Sequence, residues 1–249
     1  MKYERTLITG GSGLVGSTIF SEYKPTRQEL DLMNIDDIIL YIKTNKIDSI
    51  IHCAARVGGI KANTEKIGEF FYENIIINTN VLEAARICGV NKVVSVMTTC
   101  AFPDDVEYPL TTEQLHNGKP HPSNYGYAHA KRMLDIQSKA YRDQYGCNFV
   151  TAIPCNVYGP RDNYNLNDSH VIPALIRKAY EAKQNNTDFE IWGTGKAYRE
   201  FIYSVDLGEL LMWTLENYND REPLIISPDE EISIATLAQE IAWRIGLSH

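Results

Sequence analysis

The chain has 249 residues, 44% of them apolar and 22% charged, with a net charge of −8 at neutral pH. That length supports a sizeable core in one or two domains, and the acidic balance excludes general nucleic-acid binding while leaving a local anion site open. Five cysteines without regular spacing and without a CxxC exclude a disulfide framework and argue against a metal site, and no apolar run reaches membrane-spanning length. Residues 1–5 lead straight into a strand-like run with no signal peptide, so the expected location is the cytoplasm, with reduced thiols.

Thr6-Leu7-Ile8-Thr9 is a short β-branched run, and it enters Gly10-Gly11-Ser12-Gly13-Leu14-Val15-Gly16. Gly-x-x-Gly-x-x-Gly after a strand and before a helix start is the pattern of a dinucleotide site. Gly10 and Gly13 let the backbone approach a pyrophosphate, and Gly16 lets the helix pack on the strand. Only 11 positions separate Gly16 from Arg27, and Pro25 intervenes, so the first helix must be short and the second strand stunted or absent. Arg27 either reaches a ribose 2′-phosphate, favouring NADP over NAD, or is a solvated loop arginine; Asp31 and Leu32 are candidates for the adenine end.

A helix is expected over 35–47, with Ile38, Ile39 and Ile42 on one face. The run 49–55 reads as a buried strand ending in the small residues Ala54 and Ala55, which admit a ligand; His52 and Cys53 read as strand core. Residues 57–60 form a loop. A long helix over 68–89 carries a stripe of Phe71, Ile75, Val81, Leu82 and Ala85, with Asn74 and Asn78 a turn apart, either surface amides or partners near a reactive tyrosine. Residues 92–97 are the next strand, through Val96 and Met97, with Thr98, Thr99 and Cys100 at its carboxyl end, where open parallel sheets bind ligands. Thr98 can donate to a ketone oxygen, and Cys100 is a base if its pKa is lowered, or else a small buried side chain.

Residues 102–124 form a polar loop long enough to be functional or mobile. The following helix, to about residue 145, carries Tyr127 and Lys131 four apart and hence on one face. An ammonium beside a phenol is expected to lower the Tyr127 pKa from about 10 toward neutrality. Strand 149–153 leads into Pro154-Cys155-Asn156-Val157, and a helix over 171–182 follows His170 and carries Lys178. Strands are expected over 189–192, 199–203 and 224–226, and helices from Asp206 and over 234–245. No repeat or flexible linker appears, so the later part should pack on the first with a cleft between.

GGSGLVG, the threonines before Cys100, the Tyr127/Lys131 pair and Arg199-x-Phe201-x-Tyr203-x-x-Asp206 together resemble the extended short-chain dehydrogenase/reductases that act on nucleotide sugars. AARVGGI, CAFPD, HNGKPHPSNYGYAHAKR, NVYGPRDN, SHVIPAL and WGTGKAYREF are similar to the branch of that family whose members are GDP-4-keto-6-deoxy-D-mannose 3,5-epimerase-4-reductases. The resemblance runs to about residue 230. It implies an α/β fold, a Rossmann-type doubly wound parallel sheet over 1–160 with a strand and helix returning near 196–222, and a smaller, C-terminally shortened substrate lobe over 161–249.

The implied chemistry is epimerisation at C3 and C5 of a GDP-sugar followed by reduction at C4 with NADPH, giving GDP-L-fucose. Carried over, Cys100 is the base and His170 the acid. Tyr127 protonates the C4 oxygen, Lys131 lowers its pKa and holds the nicotinamide ribose, and Thr98 orients the ketone where the family usually has serine. NADP(H) is expected on residues 10–16, Arg27, Ala54, Ala55, Val96, Met97, Thr98, Thr99, Tyr127, Lys131, Pro154, Cys155, Asn156, Val157 and His170. Lys178, Trp192, Arg199 and Asn156 are expected on the GDP-sugar, with no metal, membrane or nucleic-acid partner. The family further implies a homodimer through helices 68–89 and 127–145. Two other readings are a different nucleotide-sugar epimerase or dehydratase of the same superfamily, and a non-catalytic NADP-binding remnant.

Overall fold

A computed structural model describes residues 3–247, so Met1, Lys2, Ser248 and His249, at the outer ends of the expected domains, lie outside the described residues. Five strands form one parallel sheet: β1 (Thr6–Thr9), β2 (Ser49–His52), β3 (Lys92–Val96), β4 (Phe149–Pro154) and β8 (Leu224–Ile226), in the order β1-β2-β3-β4-β8. Every residue of the first four is buried, so their continuous β-branched runs show no alternation; both faces of the sheet are covered. Leu224–Ile226, which the sequence reading puts in the lobe, is the edge strand of this sheet beside β4.

One face packs on α1 (Ile35–Asn45), α3 (Ile67–Cys88) and α4 (Tyr125–Tyr145), through Ile38, Ile42, Val81, Leu82 and Leu134. The other packs on α6 (Ser204–Asn217), whose Leu207, Leu211 and Leu215 meet Ile8, Ile51, Val94 and Val150. Helix α1 starts at the Asn34 cap, whose side chain accepts from the Asp36 amide at 3.0 Å. Helices α3 and α4 both stop at a left-handed glycine, Gly89 and Gly146. Phe71 is exposed and Phe70 is buried in its place, 189–192 is not a strand, and residues 60–65, for which no helix was expected, form one.

The helix expected after Gly16 is absent. Residues 10–20 form turns, with the Ser17 amide on Gly13 O at 3.1 Å and the Thr18 amide on Val15 O at 3.0 Å. The cause is chain length. Tyr23 already bridges Leu7 in parallel, and the Ile8 amide donates to Tyr23 O at 2.9 Å. A helix running back along a four-residue strand spans roughly 13 Å and needs about nine residues; only residues 17–22 lie between. The turn is tied to α6 instead, by the Thr18 hydroxyl on Ser204 O at 3.0 Å and by buried Ile19. The Tyr23 bridge also keeps the doubly wound character, because the chain leaves β1 on one side and returns as β2 on the other.

The remaining elements lie outside this sheet. They are α2 (Ile60–Glu65), β5 (Asn156–Tyr158) paired in parallel with β7 (Phe201–Tyr203), and β6 (Tyr198–Arg199) paired antiparallel with β9 (Ile232–Ser233). Helices α5 (Val171–Asn185) and α7 (Ile234–Arg244) complete them. No helix among the described residues is long and apolar enough to cross a membrane.

A buried polar chain ties the sheet to α4. His52 Nε2 lies 3.0 Å from Asn78 Oδ1, which can only accept, so Nε2 carries the proton and Nδ1 accepts from the Thr9 hydroxyl at 2.7 Å. Asn78 Nδ2 then donates to Ala130 O at 3.1 Å, in the turn between Tyr127 and Lys131. Burial, reinforced by the Lys131 charge, pushes the His52 imidazole down to about 3. The unfolded chain therefore binds this proton first as pH falls, so the stability is complete above about 6.5 and is lost toward 3. We expect His52 to contribute a slope of about 1.4 kcal/mol per pH unit across that window. Denaturant unfolding at stepped pH checks it, with His52→Asn expected to flatten the slope; an unchanged slope would remove His52 as its source.

Candidate active site

The carboxyl ends of β1 to β4 open into a cleft. Gly10 follows β1, Ala54 and Ala55 follow β2, Met97 to Cys100 follow β3, and Pro154 to Val157 end β4 and start β5. One cavity of about 620 Å³ is lined by Gly10, residues 12–16, Ala54, Ala55, Val96, Met97, Thr98, Thr99, Cys100, Tyr127, Lys131, Pro154, Cys155, Asn156, Val157 and His170. A second, of about 490 Å³, continues it outward past Arg27, Asp31, Leu32 and Met33 and shares Gly10, Ser12, Ala54 and Ala55 with it. The two make one elongated groove at the point where the strand order reverses.

Glycine is required at the turn itself. Gly10 has φ +69°, and a Cβ on it would stand 2.8 Å from the Ala54 nitrogen. A Cβ on Gly16 would stand 2.3 Å from Gly10 O. Gly11 does not line the groove; it packs under the Lys24 side chain.

Around the inner cavity, Thr98 caps the Thr99–Ala101 3₁₀ turn, its hydroxyl oxygen accepting from the Cys100 amide at 3.3 Å. That leaves the Thr98 O–H free to donate into the cleft. The Cys100 side chain is exposed. Arg132, one residue after Lys131 and buried, donates Nε to Ala101 O and Nη1 to Gly118 O at 2.7 Å, so it ties both the cysteine turn and the long loop to α4. The same helix holds that loop by Asp135, which meets His116 Nε2 at 2.7 Å.

The electrostatics of the tyrosine differ from expectation. Burial, and then the thiolate charge of Cys100 beside it, push the Tyr127 phenol above its ordinary value. Lys131 does not depress it. Its ammonium donates to Val96 O at 2.8 Å, and burial brings Lys131 itself down to about 8. Tyr127 is therefore a protonated phenol at neutral pH, a donor rather than a phenolate. Cys53, expected as strand core, lines the cleft, and burial pushes its thiol up to about 12.

His170 lines the cleft as the N-terminal flanking residue of α5, without capping it by its side chain. The expected GDP contacts are less well gathered. Asn156 lines the cleft and donates to Glu200 O at 2.9 Å, whereas Lys178, Trp192 and Arg199 do not line it. The Lys178 ammonium sits 4.1 Å over the Trp192 ring, which is 78% exposed, and the Arg199 guanidinium turns to Tyr198 O at 2.6 Å. Lining residues that went unread as site residues in the sequence include Asn63, Asn124 and Phe201. Asn124 carried a signal, standing directly before the helix of Tyr127; Asn63, which holds Gly58 O at 2.6 Å, carried none.

A model of the NAD dependent epimerase/dehydratase family matches residues 6–227. A GDP-L-fucose synthase of Dictyostelium discoideum is 48% identical over 94% of this chain and 78% of its own length. A probable GDP-L-fucose synthase of Drosophila melanogaster is 41% identical over 96% and 81%. The crystal structure of a GDP-L-fucose synthetase from Naegleria fowleri bound to NADP superposes with a TM-score of 0.92 at 37% identity, over 98% of this chain and 78% of that one. With identity of this order spread along almost its whole length, the chain belongs to the NAD dependent epimerase/dehydratase family, and within it to the GDP-L-fucose synthase group.

Proposed function

We propose that the chain is an NADPH-dependent GDP-sugar epimerase and reductase that converts GDP-4-keto-6-deoxy-D-mannose to GDP-L-fucose. The observation that carries the reading is the meeting of Thr98, Cys100, Tyr127, Lys131 and His170 around one cavity. The groove fits a dinucleotide: its volume is ample, its floor is small residues, and Arg27 at the outer end makes no ion pair among the described residues, which suits a 2′-phosphate. NADPH, when bound, supplies hydride to the C4 ketone.

The chain's own groups supply the rest. The Thr98 and Tyr127 hydroxyls donate to the C4 oxygen, and each such donor stabilises developing negative charge by about 3 kcal/mol. With that charge stabilised, Cys100 takes the proton from the neighbouring carbon as its thiolate. His170 returns a proton on the other face of the ring, first at one carbon and then at the other. Tyr127, protonated throughout the neutral range, gives its proton to O4 as the ketone is reduced. In this reading Lys131, which lines the same groove, holds the nicotinamide ribose. In this reading the GDP moiety lies toward Asn156, and the Lys178–Trp192 stack must open or offer its outer face to engage it.

The test is a single turnover with NADPH and GDP-4-keto-6-deoxy-D-mannose, following the reduced-nicotinamide absorbance and identifying the sugar. Oxidation with GDP-L-fucose as product is expected. NADPH binding without oxidation would identify a cofactor-binding remnant, and a product with C3 and C5 uninverted would identify a plain 4-reductase. The glycine turn gives an independent check. Gly10→Ala, strained by its positive φ and by the Ala54 backbone, is expected to weaken NADPH binding at least about tenfold. Titration of the bound-nicotinamide fluorescence measures it, and unchanged affinity would move the pyrophosphate away from this turn.

The reading also includes a cytoplasmic homodimer. The outer faces of α3 and α4 expose Phe71, Tyr72, Ile87, Tyr125, Ile136 and Tyr145, apolar surface suited to the same helix pair of a second copy. Light scattering is expected to give twice the 28.2 kDa chain mass at micromolar concentration, and Ile136→Glu to give the monomer. The five free thiols accord with a reducing compartment.

A further inference from the structure

Beside His170 stands a carboxylate that the steps above do not use. Asp162 sits in the turn after β5, its amide on Gly159 O at 3.3 Å. Its side chain is only 4% exposed, and its Oδ1 lies 3.6 Å from His170 Nδ1. Oδ1 also accepts from the Asn163 amide at 2.8 Å, and Oδ2 is buried without a hydrogen-bond partner. A buried carboxylate with an unsatisfied oxygen is costly unless a positive charge forms beside it. Among the described residues, the ion-pair partner within reach of Asp162 is His170. The His170 ring caps no backbone amide and is half exposed to the cleft, so its orientation is open to control by this one neighbour.

We propose that Asp162 is a positioning residue for the epimerisations: its carboxylate holds Nδ1–H of His170, turns Nε2 toward the sugar ring, and stabilises the imidazolium that donates the proton. The proposal rests on the reading of His170 as the proton donor. In the step, the enolate carbon forms a C–H bond to the proton of His170 Nε2 as that N–H bond breaks. The enolate electron pair supplies the new C–H bond, and the C4 carbonyl is restored. Imidazolium becomes neutral imidazole, with Nδ1–H retained on Asp162. Solvent then reprotonates Nε2 and takes the proton that Cys100 carried away, so the net change is inversion at one carbon with no oxidation.

The experiment separates deprotonation from delivery. Wild type, Asp162→Asn and Asp162→Glu are incubated with GDP-4-keto-6-deoxy-D-mannose in D2O without NADPH, and the ketone is trapped by borohydride. Mass spectrometry reads deuterium entry at C3 and C5, and NMR reads inversion. Deprotonation and return on the same face exchange hydrogen without inverting. For Asp162→Asn, inversion is expected to fall at least about tenfold while exchange stays within about threefold. Asp162→Glu, which keeps the charge, is expected to recover part of the inversion. In a His170→Gln background Asp162→Asn should add nothing, because its effect runs through the imidazole.

Inversion and exchange falling together, wild-type inversion in Asp162→Asn, or a further loss in the His170→Gln background would each overturn the proposal. Should the Asn variant not fold, the Glu variant decides by the same ratio: inversion lost selectively or partly supports the proposal, and equal loss of both signals overturns it. A wild-type protein that exchanges but does not invert would instead sink the reading of His170 on which the proposal stands.

Discussion

Tyr127→Phe is expected to lower ketone reduction by about 10²–10⁴-fold, the range for removing a positioned general acid. The substitution deletes one oxygen from a side chain whose ring remains packed in the cleft wall, so NADPH affinity and folding should change little. The magnitude follows from the state of the phenol. Burial above all raises the phenol above its ordinary value, so at neutral pH it keeps its proton and offers a donor for O4. The same field would oppose a tyrosinate base, which makes this site better matched to reduction of a ketone than to oxidation of an alcohol. Stopped-flow single turnovers with pre-bound NADPH read the step directly. A loss of less than about threefold would show that Thr98 or solvent protonates O4 and that Tyr127 only lines the cavity. Epimerisation should suffer less, because Thr98 still donates to the developing oxyanion.

Cys100→Ser is expected to cost at least about 10²-fold in inversion at C3 and C5 while ketone reduction survives. Oxygen replaces sulfur in nearly the same volume at an exposed position, so the turn held by Thr98 and Arg132 should persist. The chemistry does not carry over. A thiol ionises within reach of neutral pH, whereas a serine hydroxyl does not, so the base is lost and its shape is kept. The product should then be the uninverted 4-hydroxy sugar. The combination of this result with Tyr127→Phe is diagnostic. Opposite selectivities mean two sets of groups around one ketone, and equal loss of both steps in each variant would contradict the division of labour.

Local pattern was enough for most of the α/β framework. Runs such as Ser49-Ile50-Ile51-His52 and Lys92-Val93-Val94-Ser95-Val96 are short, apolar and β-branched, as strands covered on both faces require, and each lies directly before residues that end in the cleft. Because ligands in parallel sheets gather at carboxyl ends, knowing the strands was sufficient to collect Ala54, Thr98 and Pro154 near one another. Chain length alone foretold trouble after Gly16, although not its form: turns fastened to α6 rather than a short helix.

Charge states and long-range partners were decided by the folded chain. Tyr127 and Lys131 share a helix face, and spacing argued for a depressed phenol. Tertiary packing aimed the ammonium at Val96 O, buried Lys131 and half-buried Tyr127, and desolvation then dominated over the attraction. Phe189 to Trp192 has strand composition but finds no neighbouring strand to pair with, and Trp192 meets Lys178 instead. Leu224–Ile226 reads as a fragment of the lobe until its register with Ala152–Pro154 makes it the sheet's edge. What residue order indicated by itself was therefore most of the sheet and its helices and many of the side chains that line the cleft, since periodicity and strand ends are local properties. The protonation of Tyr127, the His52–Asn78 tie and the pairing of Asp162 with His170 needed the third dimension, because burial and contact between distant residues exist only once the chain has folded.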